Sequence, residues 1–241
     1  MRTLVFDIET VGEEWESLDR TSHEVLTRWI DKTAKSDEER EAHIDDLKNG
    51  LGFSPLTGYV VAIGLYDVER KKGVVFYDNK GKDEREEEHQ EYILKPRTEK
   101  EMLEDFWEGA KLYDVFVTFN GRAFDVPFLV LRSAILGITP SRDLMEGRYL
   151  YQQRTCKHVD LADQLSFYGA MYRKASLHMY CRAFGIESPK ALGVMGDDVS
   201  GLFKEGKSLA IARYNVHDVV ATTRLYEKWL KHLTYRKNTS S

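Results

Sequence analysis

The sequence predicts an α/β fold in which helices flank a mixed β-sheet, and three observations support this. Residues 3–10 form an N-terminal strand that is rich in β-branched and aromatic side chains. Residues 59–66 and 74–77 predict a hairpin around a Lys-Lys-Gly turn. From residue 99 onward, strand patterns alternate with helix patterns. A hairpin followed by alternating strands and helices predicts a sheet with both antiparallel and parallel pairs.

After the first strand, residues 13–58 predict a helical insertion followed by a return loop. Apolar residues recur at helical spacing in its first half, and Ser36 begins a further helix that Gly50 ends. Residues 13–50 hold about twice as many acids as bases. Glycine and proline over residues 52–58 lead the chain back to the sheet.

The remaining chain supplies the other elements of the sheet and the helices that cover it. Strands are predicted over residues 115–119 and 158–161. Helices are predicted over residues 99–111, 124–136 with Gly137 as its cap, near 164, 176–184, near 202 and 207–233. Loops are predicted over residues 80–91, 138–157 and 185–201, and a flexible tail over residues 235–241.

Composition narrows the class of protein. The 241 residues suffice for one large α/β domain, and we expect a single domain over residues 1–241. No run approaches the ~18 apolar residues of a membrane span, and Asp7 interrupts the first apolar stretch, so neither a membrane segment nor a signal peptide is expected. Cys156 and Cys181 lack the CxxC spacing of zinc or disulfide frameworks, which suits a reducing cytoplasm. The net charge of −5 argues against a surface that coats nucleic acid broadly, although bound metal ions would reverse the charge of a small site.

Two acidic side chains interrupt the N-terminal strand. Asp7 and Glu9 are two residues apart, so both carboxylates lie on one face of the strand. Their like charges repel at the end of a buried strand, and a divalent cation that takes carboxylate oxygens would relieve that conflict. The alternative is a pair of acids at a solvated strand end.

Two further stretches carry acids in structured surroundings. Asp125 follows a strand and a glycine turn and lies in the first turn of a helix, where the helix dipole alone would also favour an acid. Tyr214 and Asp218 are one turn apart and share one face of the final helix. No Lys or Arg of that helix shares this face, so an inward-facing Asp218 indicates a metal ligand. The alternative is a hydrogen bond from a backbone amide or from an arginine elsewhere in the chain.

Together the stretches FDIET, NGRAFDVPFL and YNVHDVVAT resemble the three exonuclease motifs of the DEDDy 3′→5′ exonucleases. The closest likeness is to the proofreading domain of B-family DNA polymerases and its free-standing relatives. The likeness also covers YVVAIGLYD, HVDLADQLSFYGA and SLHMYCRAFGI, and so most of the chain apart from residues 13–50 and the tail. It implies a ribonuclease-H-like fold and a free-standing exonuclease domain.

The resemblance also implies roles for individual residues. The implied metal-binding acids are Asp7, Glu9, Asp125 and Asp218, and the implied catalytic tyrosine is Tyr214. Because the pKa of tyrosine is ordinarily ~10, its hydroxyl is a poor base at neutral pH and is expected to orient the attacking water. The implied substrate contacts are Thr10 and Val11 at the terminal sugar, Asn120 at the site or the phosphate backbone, and Phe124 stacking near the terminal nucleotides.

These residues predict an enzyme that hydrolyses phosphodiester bonds from the 3′ end of single-stranded nucleic acid and releases nucleoside monophosphates. Two divalent ions, Mg²⁺ or Mn²⁺, would flank the scissile phosphate ~3.5–4 Å apart. We expect DNA more than RNA as substrate. No polymerase module fits in this length, so a polymerase or repair partner would be a separate chain. Two alternatives stay open: an RNA 3′-end trimming exonuclease on the same scaffold, and an inactive module that binds nucleic acid or a partner.

Several other polar residues have plain structural explanations. The residues expected to be structural are His217 at the surface, His158 at a strand end, Asp160 as a helix cap beside Asp163, and His178 and the two cysteines in packing. The basic residues of the middle third are candidates for a phosphate path, with a mixed solvated surface as the alternative. They are Arg148, Arg154, Lys157, Arg173, Lys174 and Lys190.

Overall fold

A computed structural model describes residues 1–82, 85–171, 175–188 and 199–234. In these ranges the chain forms one sheet of seven strands in the spatial order β4-β5-β3-β2-β1-β6-β7. The strands are β1 Thr3–Gly12, β2 Gly58–Asp67, β3 Lys72–Tyr77, β4 Glu87–His89, β5 Tyr92–Pro96, β6 Val115–Thr118 and β7 Lys157–Asp160. The described helices are α1 Arg20–Thr27, α2 Ile30–Thr33, α3 Asp37–Gly50, α4 Glu99–Ala110, α5 Asp125–Ile135, α6 Leu161–Leu165, α7 Leu177–Phe184, α8 Val199–Lys204 and α9 Ser208–His232.

The sheet is mixed, as the sequence predicts. Strand β1 pairs antiparallel with β2 and parallel with β6, and β6 pairs parallel with β7. On the other side, β2 pairs antiparallel with β3, and β3 pairs parallel with β5. The expected hairpin is therefore β2–β3, and β1 lies near the middle of the sheet with a neighbour on each side.

The loop predicted over residues 80–91 is wrong in part, and strand β5 was not predicted. Strand β4 lies within that range and pairs antiparallel with β5 at the edge of the sheet. Tyr92 and Leu94 are buried while Ile93 between them is exposed, which is the alternation of a half-buried strand. The charged strand β4 forms only because β5 offers it a partner, and an edge position tolerates its polar side chains.

The predicted insertion is helical and is built from α1, α2 and α3. The side chain of Ser36 accepts a hydrogen bond from the backbone N–H of Glu39 at 3.2 Å and so caps α3, as expected. The chain then makes a short 3₁₀ turn, Leu51–Phe53, before β2. The hydroxyl of Thr10 donates to the carbonyl of Gly52 at 2.7 Å, which ties this turn to the end of β1.

The other predicted helices also form. Thr98 and Glu101 make a capping box at the start of α4. Gly137 has a φ of 75° after α5, a conformation that favours glycine, and its N–H donates to Ala134 O. Ser176 occupies the N-cap of α7 without a side-chain capping bond. The predicted tail, residues 235–241, lies outside the described residues. Within the described ranges no helix has the length and apolar character to cross a membrane.

Two layers of helices cover the sheet, and β1 contributes to both. Leu4, Phe6 and Ile8 face the layer that contains α4 and α5. Val5 and Val11 face the opposite layer, which contains α9. Because side chains alternate along a strand, the side chains of Asp7 and Glu9 lie on the α9 side.

Candidate metal centre

Three carboxylates from two elements converge at the middle of the sheet. In β1, Asp7 lies opposite Gly64 and Glu9 lies opposite Ala62. Asp218 reaches them from α9, and carboxylate oxygens of the three acids lie within 4.8 Å of one another. Glu9 is only 8% exposed, while Asp7 and Asp218 are partly exposed. The structure therefore brings together three of the four acids that the sequence indicates.

The fourth acid, Asp125, lies beside this group but outside it. Its side chain is 4% exposed at the first residue of α5. Its Oδ1 accepts a hydrogen bond from the backbone N–H of Ile8 at 3.2 Å, which connects the start of α5 to β1 between Asp7 and Glu9. Its negative charge also raises the pKa of Asp7, so the two carboxyl groups interact.

The acids are poorly stabilised as anions. Burial raises the pKa of Asp7 well above its ordinary value, and the charges of Asp125, Asp218 and Glu9 raise it further. Burial and the charge of Asp218 likewise raise the pKa of Glu9. Burial raises the pKa of Asp125 to about 7. An all-carboxylate donor set with this mutual repulsion fits a hard divalent cation such as Mg²⁺ or Mn²⁺.

The final helix presents Tyr214 and Asp218 to the site from one face, as predicted. Tyr214 is buried and its hydroxyl donates a hydrogen bond to the Asp218 carboxylate. Burial, followed by the charge of Asp218, raises the pKa of Tyr214 above its ordinary value, so the phenol stays protonated. Ile211 and Leu225 on the same helix are buried, as expected for this side.

Asn215 was not predicted as a site residue, yet it contacts two of the acids. Its Nδ2 donates to Asp7 Oδ2 at 2.9 Å and to Glu9 Oε1 at 3.4 Å. Asn215 stands three residues before Asp218, a spacing that places both on one side of a helix. That spacing, together with an amide in an otherwise buried stretch, was the available signal.

The four substrate-contact candidates occupy different surroundings. The hydroxyl of Thr10 is bound to Gly52 O, and the side chain of Val11 is buried, which leaves mainly backbone to face a ligand. Asn120 has a φ of 65°, and its N–H donates to Asp160 Oδ1 at 2.9 Å. The ring of Phe124 lies edge-on to Phe53 of the 3₁₀ turn, with centroids 6.4 Å apart.

Two clefts adjoin these positions. One of about 580 Å³ runs from Thr10 and Val11 to the insertion, where it is lined by Glu13, Glu14 and Trp15 among others. The other, of about 690 Å³, begins at the turn that precedes Asp125. Its lining includes Phe119, Asn120, Arg122, Arg148, Asp163 and Tyr180. Both volumes are in the range of small-ligand sites.

The residues with plain structural explanations mostly behave as expected. Asp160 caps α6 by accepting from Ala162 N at 2.9 Å, and it also accepts from the backbone N–H of Arg122 at 2.9 Å. His158 is the second residue of β7 rather than its end, and its ring is buried between the hydroxyl of Thr118 at 2.8 Å and Leu144 O at 2.9 Å. Burial lowers the pKa of His158 to about 4, so it is neutral at physiological pH.

The two cysteines and His178 are packed as expected, and His217 is the exception. Cys156 and Cys181 are buried, and His178 is partly buried with its Nδ1 2.7 Å from Ser188 Oγ. His217 is half-buried rather than at the surface. Burial and the neighbouring His89 lower the pKa of His217.

The basic candidates for a phosphate path are largely engaged within the protein. Arg148 pairs with Asp163 at 2.8 Å, and Lys157 donates to Leu150 O and Gln153 O. Arg154 is exposed. Three further candidates, Arg173, Lys174 and Lys190, lie outside the described residues.

Comparison with known proteins places this chain in a family. Residues 65–239 match a family model described as "Predicted 3'-5' exonuclease related to the exonuclease domain of PolB". This match contains Asp125, Tyr214 and Asp218, and begins after Asp7 and Glu9.

Curated relatives and a solved structure agree with that match. The chain is 26% identical over 147 residues to the catalytic subunit of DNA polymerase epsilon from Emericella nidulans, covering 57% of this chain and 6% of the relative. It is 28% identical over 152 residues to a DNA polymerase of Desulfurococcus sp. (strain Tok), covering 56% of this chain and 18% of the relative. The chain thus spans a small part of the curated relatives it matches.

The fold is similar to the family B DNA polymerase from the archaeon Pyrobaculum calidifontis, with a TM-score of 0.58, 19% identity, 95% of this chain covered and 24% of the polymerase. This likeness and the mixed sheet flanked by helices confirm the predicted ribonuclease-H-like fold class. Since the family model covers residues 65–239, more than half of the sequence, the chain belongs to the family of predicted 3′→5′ exonucleases related to the exonuclease domain of PolB.

Proposed function

We propose that this protein is a metal-dependent 3′→5′ exonuclease that removes nucleoside monophosphates from single-stranded nucleic acid, DNA more than RNA. The observation that carries the proposal is the convergence of Asp7, Glu9 and Asp218 within 4.8 Å, next to the buried hydroxyl of Tyr214. Buried like charges are costly, so such a group is retained where a cation or a reaction requires it.

The proposed ligands of the metal ions are Asp7, Glu9 and Asp218, with Asp125 as a fourth acid. When bound, two Mg²⁺ or Mn²⁺ ions would acidify the attacking water and stabilise the leaving 3′ oxygen. We propose that Asp125 also has a structural role. Its hydrogen bond from Ile8 N–H fixes α5 against β1, the strand that carries Asp7 and Glu9.

Tyr214 is proposed to orient the attacking water rather than to remove its proton. Its raised pKa keeps the phenol protonated near neutral pH, so it is a hydrogen-bond donor and acceptor but not a base. Its bond to Asp218 holds the hydroxyl at the edge of the acid cluster. A positioned hydroxyl lowers the entropic cost of placing the nucleophile.

The substrate path is proposed to follow the two clefts. Phe53 lines the 580 Å³ cleft, and its ring and that of Phe124, in edge-on contact, offer apolar faces and edges on which bases can stack. The 580 Å³ cleft has Glu13, Glu14 and Glu16 on the insertion side. Lys48, Lys80 and Lys204 line the same cleft, and Glu14 pairs with Lys204 at 3.2 Å, so basic side chains are also present to contact the phosphates of a single strand.

The proposal also covers the domain organisation, a partner and the cellular location. We infer that residues 1–241 act as a single domain, with residues 13–58 as an insertion and its return loop, and that this domain acts together with a polymerase or repair protein. A cytoplasmic location suits the two free, buried cysteines, because thiols stay reduced there.

The test is a time course on denaturing gels with 5′-labelled DNA and RNA oligonucleotides of equal sequence, in Mg²⁺ or Mn²⁺. Stepwise shortening from the 3′ end, faster for DNA, is the expected result. The Asp218→Asn variant should be inactive, while Glu41→Gln on the exposed face of α3 should cleave normally. Faster cleavage of RNA would support the RNA-trimming alternative. Binding without any cleavage would support an inactive binding module and contradict the proposal.

A further inference from the structure

We propose that Asn215 is a positioning residue that holds Asp7 and Glu9 in the arrangement required for metal binding. The inference rests on the proposed function, since it concerns the same acids. Asn215 is 0% exposed on α9, and its Nδ2 group lies 2.9 Å from Asp7 Oδ2 and 3.4 Å from Glu9 Oε1. One amide nitrogen therefore spans the two carboxylates of β1 from the opposite layer.

Strand β2 leaves room for this amide at one position. Gly64 is the β-sheet partner of Asp7. A Cβ at Gly64 would lie 2.0 Å from Asn215 Oδ1 and 2.8 Å from Val219 Cγ2. Any side chain at position 64 would therefore displace the amide, so glycine on β2 and asparagine on α9 form a matched pair across the two layers.

The orientation of the amide is defined by its surroundings. Asn215 Oδ1 is buried, and among the described residues it has no hydrogen-bond partner. Buried polar atoms are normally paired, so this geometry is not what folding stability alone would favour. Reversing the amide would direct Oδ1 at two carboxylates, which is worse while they carry charge. The unpaired Oδ1 is thus the consequence of giving both N–H groups to the acids.

This arrangement has a direct consequence for the acids. Without a donor between them, the carboxylates of Asp7 and Glu9 would separate or rotate, because like charges repel. A donor from α9 keeps both oxygens directed toward Asp218 before any cation binds. Residues that hold metal ligands in this way typically change metal affinity by ~10–100-fold when they are replaced.

The experiment compares four proteins by calorimetric titration with Mn²⁺ alone and by melting temperature in chelator. Asn215→Leu keeps the branching of the side chain but removes the hydrogen bonds. Gly64→Ala displaces the amide from the other layer. Thr222→Val is the matched control, because Thr222 is a buried residue of α9 whose hydroxyl likewise has no described partner.

We expect Asn215→Leu and Gly64→Ala to weaken Mn²⁺ binding by ~10–100-fold, and Thr222→Val to bind Mn²⁺ as the wild type does. Raising the Mn²⁺ concentration should restore cleavage by Asn215→Leu, as expected when ligands are misplaced but present. If Asn215→Leu does not fold, Asn215→Ser, which is smaller and shortens the reach to both acids, takes its place with the same expectation.

The inference fails if folded Asn215 variants bind Mn²⁺ as tightly as the wild type, or if the wild type binds no Mn²⁺. It stands, and the proposed exonuclease activity fails, if binding weakens as expected while the wild type cleaves no nucleic acid. The two proposals therefore have separate outcomes.

Discussion

Replacing Asp125 with asparagine should stabilise the metal-free protein, and the gain should grow with pH. The pKa of this carboxyl is about 7 in the folded protein against 3.8 ordinarily. An acid with a raised folded pKa binds its proton more tightly in the folded state than in the unfolded state. Its contribution to stability is complete below the unfolded pKa and is lost as pH rises through the folded pKa.

The size of the effect follows from this shift. As pH rises from about 5 to the folded pKa of about 7, this carboxyl costs the wild type ~1.4 kcal/mol of stability per pH unit, or about 3 kcal/mol in total. From there to about pH 8 its contribution changes little. For 241 residues the unfolding entropy is ~0.5 kcal/mol per kelvin, so the melting temperature of the wild type should fall by about 6 °C relative to that of Asp125→Asn. The introduced asparagine does not titrate, and its amide oxygen can still accept from Ile8 N–H.

The assay is thermal unfolding in EDTA across this pH range for the wild type, Asp125→Asn and the control Asp46→Asn, whose carboxylate is exposed on α3. The melting temperatures of wild type and Asp125→Asn should diverge as pH rises, while the control follows the wild type. In Mg²⁺ the wild type should recover, because a ligand that binds the folded state stabilises it. Parallel curves for wild type and Asp125→Asn in EDTA would refute the raised pKa and the reasoning from buried charge.

Three more outcomes are expected. EDTA should abolish cleavage on denaturing gels, and Ca²⁺ should bind but support little turnover, because it coordinates loosely; full activity in excess EDTA would contradict metal dependence. Tyr214→Phe should slow single-turnover cleavage by ~10²–10³ without weakening Mn²⁺ binding in calorimetry, whereas Asp218→Ala should lose that binding; a wild-type rate for Tyr214→Phe would remove the tyrosine from the mechanism. Asp7→Ala should lose turnover yet melt in EDTA no lower than wild type, since it removes one repelling charge; a large drop would make Asp7 structural.

Local patterns in the sequence were sufficient to predict most helices and strands and to indicate the acidic residues of the candidate site. Asp7 and Glu9 share a face because strand geometry repeats every two residues, and Tyr214 and Asp218 share a face because they are one helical turn apart. The cap at Ser36 and the glycine that follows α5 also act within a few residues. Features of this kind depend on neighbours in the chain, so they can be predicted without knowing the fold.

Tertiary structure decided the features that depend on contacts between residues far apart in the chain. Strand β4 exists because β5 pairs with it, although its own residues are charged. The bond between Asp125 and Ile8 joins residues 117 apart, and the bond between Asn215 and Asp7 joins residues 208 apart. Sequence spacing contains no record of such contacts, because they arise when α5 and α9 pack on opposite faces of the sheet. The sequence therefore indicated which side chains are candidates for the chemistry, and packing determined that three acids cluster, that Asp125 lies beside them and that Asn215 spans two of them.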